Sequence, residues 1–200
     1  MSDRNYSILI VGVGGQGVLL ASELISAVAM EDGYDVKKSE VHGMSQRGGV
    51  VSSHVRIGKK VYSPTIEYGQ ADVVLAFEQA EGLRAIDWLK KDGVAIVSRT
   101  QLVPAIVTAS KQFSYPDDPV GMMKARTDRV IAAEADKIAG ELGNPRLVNT
   151  ILLGALSHYL PFDEAQWLQA IKALVKPKFV DVNLTAFARG RELKLDAATV

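Results

Sequence analysis

The chain of 200 residues contains no cysteine. This absence excludes disulfide bonds, a thiolate nucleophile and the thiolate ligands that iron–sulfur clusters normally require. Histidine is also scarce, since only His42, His54 and His158 are present. They fall in a predicted loop, a predicted strand and a predicted helix, without a close i, i+4 pair. The sequence therefore does not favour a zinc site.

An excess of charge is missing too, because 23 basic residues balance 23 acidic ones. A neutral chain gives no electrostatic basis for binding nucleic acid, for which a basic patch is expected. Apolar stretches are interrupted before they reach membrane-spanning length. The amino terminus leads directly into the first predicted strand, without the pattern of a signal peptide. We therefore expect a cytoplasmic protein with no nucleic-acid or membrane partner.

Apolar strands alternate with amphipathic helices along most of the chain, which is typical of an α/β fold. After a strand at 50–57, Gly58 and Lys59 predict a turn into a short strand at 60–63, and thus an inserted β-hairpin. The other predicted strands are 6–13, 34–41, 71–77, 93–98 and 128–132. The predicted helices are 16–30, 79–89, 134–142, 146–160, 163–174 and 177–193.

These elements predict a mostly parallel, Rossmann-like sheet with helices on both faces and a helical carboxyl-terminal region. The length favours one domain over 1–200, with an α/β core to about 142 and a helical part from about 143. Asp163 and Gln166 have the spacing of a capping box at the start of one carboxyl-terminal helix.

A glycine-rich loop follows the first strand. Gly12, Gly14 and Gly17 fit the spacing GxGxxG between an apolar strand and a helix. In this context the N–H groups from Gly14 to Gly17, including those of Gly15 and Gln16, can donate to an anion beside the helix amino terminus. The structural alternative is that the glycines only allow tight packing between strand and helix.

A second glycine-rich loop, within 40–49 (EVHGMSQRGG), follows the second strand and concentrates polar groups. His42, Ser45 and Gln46 can form hydrogen bonds, and Arg47 can hold a carboxylate or phosphate in two-point contact. Binding groups are usually placed on such loops. Because both loops follow strands, both are expected at the carboxyl edge of the sheet, where they meet if the two strands are neighbours. The alternative is a solvated loop whose Arg47 binds a carboxylate of its own chain.

A stand-alone dinucleotide-binding protein is the alternative of another class. Glu40 closes the second strand, where an acidic residue would bind a ribose in that fold. However, the polar loop follows Glu40 at once, and no second mononucleotide-binding half follows downstream. We therefore expect no useful affinity for NAD.

The segments 14–18 (GGQGV), 40–49 and 53–56 (SHVR) together resemble the gamma-type domain of 2-oxoacid:ferredoxin oxidoreductases. The resemblance continues through 61–64 (VYSP), 71–76 (ADVVLA), 149–156 (NTILLGAL) and 183–190 (NLTAFARG). It covers nearly the whole chain, and its order and spacing are more specific than a single glycine motif. Within the family, the size and the form VHGMSQRGG are most similar to the beta subunits of the indolepyruvate branch.

The resemblance implies an accessory subunit of an enzyme that decarboxylates a 2-oxo acid oxidatively, yields an acyl-CoA and passes electrons to ferredoxin. Thiamine diphosphate with magnesium and iron–sulfur clusters perform that chemistry in the family. This chain lacks cysteine, and it lacks a Gly-Asp-Gly stretch followed at a distance by asparagine. The resemblance therefore implies that a larger, cysteine-rich alpha subunit binds these cofactors. This chain would bind none alone and would at most share coenzyme A.

The chemistry of the loop residues indicates no catalytic residue in this chain, and it favours an interface over direct contact with substrate. The residues implied to face a ligand or the partner are Gly14, Gly15, Gln16, Gly17, His42, Ser45, Gln46 and Arg47. Asn149 and Asn183 also match family positions, although helix capping or a buried hydrogen bond explains them equally well. Nothing in the sequence selects an aryl side chain, so pyruvate, 2-oxoglutarate and branched-chain 2-oxo acids remain open as substrates. A pure scaffold with no group near the chemistry also remains open as a function.

Overall fold

The computed structural model describes residues 4–43, 49–103 and 114–195. The strands in these residues are β1 Tyr6–Val13, β2 Asp35–His42, β3 Val50–Gly58, β4 Ala71–Ala76, β5 Leu89–Ser98 and β6 Val130–Ala133. The α-helices in the same residues are α1 Val18–Glu31, α2 Gln79–Ala85, α3 Pro119–Lys124, α4 Ala135–Glu141, α5 Val148–Leu156, α6 Glu164–Leu174 and α7 Val180–Arg191.

The strands form one six-stranded sheet in the order β2-β3-β1-β4-β5-β6. The pairs β1–β4, β4–β5 and β5–β6 are parallel, whereas β3 is antiparallel to both β1 and β2. The predicted α/β fold with a mostly parallel sheet is thereby confirmed. However, the first two strands are not neighbours, because β3 lies between them.

The antiparallel hairpin of the sheet is formed by β2 and β3, with Asp35 opposite Gly58 and His42 opposite Val51. Residues 60–63, predicted as a strand, do not form one. The N–H of Val61 donates instead to Oδ2 of Asp35 over 3.0 Å. The Asp35 carboxylate therefore accepts a backbone N–H that a further strand would have used for pairing.

Two apolar cores lie on the two faces of the sheet. On one face α1, α5, α6 and α7 cover residues such as Ile8, Ile10 and Leu75, and the rings of Trp167 and Phe187 stack 5.9 Å apart. On the other face, α2 and α3 cover the smaller core, which contains Leu9, Val11, Val74, Val97 and Met123. The prediction of helices on both faces is confirmed.

The helix ends follow the local signals of the sequence. After α1, Gly33 takes a φ of 83° and its N–H donates to the carbonyl oxygen of Met30 over 3.0 Å, which ends the helix. Asp163 and Gln166 form the predicted capping box of α6. No helix in the described ranges has the length and apolar character needed to cross a membrane.

Candidate functional site

The two glycine-rich loops meet at the carboxyl edge of the sheet. Because β1 and β2 are both antiparallel to β3, both end at this edge, where β3 begins. The N–H of Gly14 donates to the carbonyl oxygen of Gly49 over 2.9 Å, and the N–H of Gly43 donates to that of Val50 over 2.7 Å. The described ends of the two loops therefore meet through β3, and not by the pairing of β1 with β2 on which the predicted convergence depended.

This edge also contains the point where the chain changes from one face of the sheet to the other. The helix after β1 packs on the larger core, and the helix after β4 packs on the smaller core. Since β1 and β4 are adjacent and parallel, a crevice opens beyond their carboxyl ends. Ligands of open α/β sheets bind in such crevices, and the first glycine loop lies at this one.

The backbone of the first glycine loop leaves donors available. Gly15 and Gly17 have φ values of 99° and 86°, which only glycine adopts readily. The N–H groups of Gly14 and Gln16 are used within the protein, by the carbonyl oxygens of Gly49 and Val13. Those of Gly15, Gly17 and Val18 have no acceptor among the described residues. These free donors, at the amino terminus of α1, suit an anion.

Gln16 shapes this loop from within. Its Oε1 accepts the N–H of Val13 over 2.7 Å, and its Nε2 donates to the carbonyl oxygen of Phe77 over 2.8 Å. A Cβ at Gly12 would lie 2.9 Å from this Oε1, which explains the glycine there. Gln16 thus joins the end of β1 to the end of β4, and its side chain is occupied inside the chain.

His42 ends β2 and is exposed. Together with Gly14, Gly15 and Gly17 it lines a cavity of about 350 Å³ at this edge. In the described part of the chain, no three histidine or carboxylate side chains are grouped so that they could hold a metal ion. The exposed imidazole of His42 can form a hydrogen bond with a group that enters this cavity. The predicted site residues Ser45, Gln46 and Arg47 lie outside the described residues.

Glu40 does not lie where a dinucleotide fold needs its acidic residue. The strand that carries it is separated from β1 by β3. Its Oε1 accepts from Oγ of Ser22 and from Nζ of Lys38, both over 3.2 Å. These contacts use Glu40 under α1, which weakens the dinucleotide alternative.

Glu78, a buried carboxylate at the same edge of the sheet, was not predicted from the sequence. It follows the end of β4, is 1% exposed, and accepts the N–H of Glu81 over 2.9 Å as the cap of α2. It also accepts the N–H of Leu102 over 3.2 Å and the hydroxyl of Tyr115. The sequence signal that could have indicated it is a carboxylate directly after a continuous apolar strand. Its contacts fix the loops around α2.

Burial governs the titration of the groups around Glu78. Burial raises the pKa of the Tyr115 hydroxyl, and its hydrogen bond to Glu78 raises it further. Burial also raises the pKa of Glu81, which Arg84 opposes and Glu78 reinforces. These shifts arise from packing around a helix cap, and we assign no catalytic role to them.

Asn149 and Asn183 belong to one buried network behind the glycine loop. Oδ1 of Asn149 accepts the N–H of Thr150 over 2.7 Å, and Oγ1 of Thr150 donates to Oδ1 of Asn183 over 2.7 Å. Nδ2 of Asn183 donates to the carbonyl oxygen of Phe179 over 2.8 Å. A Cβ at Gly17 would lie 2.4 Å from Nδ2 of Asn149, so the network packs directly against the loop.

The chain matches a known protein family over most of its length. A family model described as pyruvate ferredoxin/flavodoxin oxidoreductase matches residues 7–193. The indolepyruvate oxidoreductase subunit IorB of Thermococcus kodakarensis is 40% identical over 194 residues, which cover 94% of this chain and 95% of that protein. The protein of the same name from Archaeoglobus fulgidus is 41% identical over 188 residues, which cover 92% of each.

Similarity extends more weakly to proteins named for another substrate. The 2-oxoglutarate synthase subunit KorC of Methanothermobacter thermautotrophicus is 30% identical over 207 residues, covering 99% of this chain and 100% of that protein. A solved structure of 2-oxoglutarate:ferredoxin oxidoreductase from Magnetococcus marinus, with coenzyme A bound, superposes with a TM-score of 0.71 at 20% identity. The match covers 98% of this chain and 33% of that chain, and it concerns the fold alone.

Proposed function

The chain belongs to the pyruvate ferredoxin/flavodoxin oxidoreductase family, and from this membership we propose that it is the gamma-type accessory subunit of an indolepyruvate ferredoxin oxidoreductase. The assembled enzyme would convert the anion of an aryl 2-oxo acid and coenzyme A into an acyl-CoA, CO₂ and one proton, with two electrons passing to ferredoxin. The identity of 40–41% to relatives named for indolepyruvate, against 30% to one named for 2-oxoglutarate, supports this substrate class.

The observation that carries the role is the convergence of the two glycine loops beside free N–H donors. The cavity there holds His42, the donors of Gly15 and Gly17, and the amino terminus of α1. This arrangement fits a single anionic group, which we propose to be a carboxylate of the partner subunit or a phosphate of coenzyme A. Of these two, we favour a carboxylate at an interface with the partner subunit, because the loops lie on an open edge of the sheet.

We assign the redox chemistry to the partner. The chain has no cysteine, and its described residues contain no metal-binding group of histidines and carboxylates. Thiamine diphosphate, magnesium and the iron–sulfur clusters would therefore be bound by a larger, cysteine-rich alpha subunit, through which ferredoxin is reduced. This chain would bind no cofactor alone, and the complex would be cytoplasmic, without a nucleic-acid or membrane partner.

Arg47, together with Ser45 and Gln46, remains a proposed part of this surface on the strength of the sequence. Replacing Arg47 by alanine should damage the assembled enzyme more than the fold. Loss of a buried charged hydrogen bond to a partner or ligand would cost about 2–5 kcal/mol. Weaker association with the alpha subunit would indicate an interface, and a raised apparent Michaelis constant for coenzyme A would indicate contact with the coenzyme. If only thermal unfolding of the free chain changes, Arg47 is structural.

Two alternatives stay distinct from this proposal. One is a gamma-type subunit of an enzyme for pyruvate, 2-oxoglutarate or branched-chain 2-oxo acids, because the substrate pocket would lie mainly on the partner. The other is a stand-alone dinucleotide-binding protein, against which the position of β3 and the contacts of Glu40 argue.

Co-expression with the alpha subunit tests the proposal. The purified complex would be assayed anaerobically with indolepyruvate, pyruvate, 2-oxoglutarate and 2-oxoisovalerate, each with coenzyme A and ferredoxin. We expect the highest kcat/KM with indolepyruvate. A clear preference for one of the other acids would move the chain to a sibling enzyme. No association with the alpha subunit, together with tight NADH binding by the free chain, would support the dinucleotide-binding protein instead.

A further inference from the structure

An open cleft of about 740 Å³ lies between α1 and the amino-terminal ends of α5 and α7. Its walls are mainly apolar, and two of its large apolar side chains remain exposed at the rim. Leu174 is 43% exposed and Phe179 is 37% exposed. Small-molecule pockets usually enclose roughly 70–90% of their ligand. A cleft this open, with apolar side chains at its rim, is better suited to a protein segment that covers them.

The charge on this cleft is of one sign. Arg146 and Lys176 line it, and both are exposed and have no ion pair with any described residue. Nζ of Lys178 lies 4.8 Å from the ring centre of Phe179, which adds a third cation beside the rim. No acidic side chain of the described residues lines the cleft. An occupant with carboxylates would neutralise these charges.

One side-chain donor in the wall of the cleft also lacks an acceptor within the described part of the chain. Asn149 is 4% exposed, and its Oδ1 is satisfied by Thr150. Its Nδ2 has no hydrogen-bond partner among the residues that the structure describes. An acceptor that arrives on assembly would give this amide group a hydrogen-bond partner.

The cleft adjoins the candidate site. Leu20 lines both the cleft and the cavity under the glycine loop. Nδ2 of Asn149 lies close against Gly17 of that loop. A segment seated in the cleft would therefore lie directly behind the free donors of the loop.

We propose that this cleft docks an acidic, amphipathic segment of the alpha subunit. Its apolar side chains cover Leu174 and Phe179, its carboxylates face Arg146 and Lys176, and one of its carbonyl groups accepts from Nδ2 of Asn149. The proposal rests on the proposed function, since that function requires such a subunit. It places a second contact beside the loop surface, so that assembly fixes the glycine loop from behind.

Charge reversal at the rim tests the docking surface. The full chain carrying Arg146→Glu and Lys176→Glu would be titrated with the purified alpha subunit by isothermal calorimetry. We expect the dissociation constant to rise by about tenfold or more, because like charges would then face each other. Leu174→Ser should weaken binding by about threefold or more through lost apolar contact. The matched controls are Lys91→Glu with Lys124→Glu, and Met30→Ser, all away from the cleft.

Each outcome decides between the proposals. Thermal unfolding of every free variant shows that the fold is retained. If the wild-type chain binds and the cleft variants bind as well as the controls do, the docking surface is wrong while the proposed function stands. If the cleft variants assemble normally but lose binding of n-octyl phosphate, the cleft holds a small amphipathic anion and docking is overturned. If the wild-type chain does not bind the alpha subunit, the proposed function fails and the docking surface with it.

Discussion

Gly17 is constrained twice, by its backbone and by its surroundings. Its φ of 86° lies in the left-handed region, and a Cβ there would lie 2.4 Å from Nδ2 of Asn149. Gly15 shares the left-handed φ but has open space where a Cβ would be. Gly15 is therefore required for its backbone conformation alone, whereas Gly17 is required for both conformation and packing.

We predict that Gly17→Ala destabilises the protein by about 2 kcal/mol or more, because left-handed strain and a steric clash add. Gly69→Ala is the control for strain alone, since its φ is 72° and nothing lies within 4 Å of the added Cβ. It should cost about 1 kcal/mol. Gly140→Ala, in α4 with open space, should be neutral or stabilising by up to about 1 kcal/mol. Urea unfolding of the three variants measures these differences, and equal costs at Gly17 and Gly69 would rule out the clash.

The sequence located the glycine loop but could not divide its roles among residues. The GxGxxG spacing indicated an anion site, and free N–H groups at Gly15 and Gly17 fit that interpretation. The same spacing could not show that Gln16 turns inward, because its partner Phe77 is 61 residues away. Nor could it show that the N–H of Gly14 is used by Gly49. Such contacts depend on which strands become neighbours, and local pattern does not encode this.

At the scale of elements, the insertion of β3 is the feature that local signals predicted least well. The strand itself was predicted at 50–57, and its buried apolar residues face α1 and the larger core. Its pairing with β1 and β2 was not, because registers are decided between distant segments. The same limit explains why the strand predicted at 60–63 does not form, since the side chain of Asp35 accepts the N–H of Val61. The start of α6, which rests on a cap formed within three residues, was predicted correctly.

The segment after β3 folds back over that strand and is held by His54. Nδ1 of His54 accepts the N–H of Ile66 over 3.1 Å, and Arg56 donates to the carbonyl oxygen of Ser63 over 3.2 Å. The hydrogen bond at His54 requires a neutral imidazole, because a protonated ring has no acceptor. Burial lowers the pKa of His54 below its ordinary value of 6.5.

The lowered pKa of His54 gives the sign of a pH effect. Between its folded pKa and 6.5, the unfolded chain binds more protons at this group than the folded one. The contribution of His54 to stability is therefore complete above 6.5 and is lost as pH falls toward the folded pKa. We predict that His54→Gln loses less stability than the wild-type chain between about pH 7.5 and about pH 5.5. Urea unfolding at both pH values measures this, and an unchanged pH dependence in His54→Gln would contradict it.

For the whole molecule, composition and the site both support the proposal that the partner subunit binds the redox cofactors. A chain without cysteine cannot supply the usual cluster ligands, and the described part of its candidate site offers backbone donors and the imidazole of His42. The absence of cysteine and the order of the motifs were readable from the sequence alone. The cleft behind the glycine loop was not, because it exists only once α1, α5 and α7 are packed together.

We predict that the isolated chain is colourless and binds neither iron nor thiamine diphosphate tightly. The reason is the lack of thiolate ligands and of a recognisable diphosphate-binding stretch. A visible spectrum after anaerobic purification and iron–sulfur reconstitution checks this. Stoichiometric cluster absorption by the free chain would overturn the assignment of the clusters to the alpha subunit.

Our central proposal is that this chain completes an enzyme whose cofactors are bound by its partner subunit. The most direct measurement adds increasing amounts of the purified chain to the cofactor-loaded alpha subunit and follows indolepyruvate-dependent reduction of ferredoxin in the presence of coenzyme A. We predict negligible activity from either subunit alone and a rise to a plateau at a fixed ratio of the two. Full activity of the alpha subunit without this chain, or no change in rate on adding it, would contradict the claim.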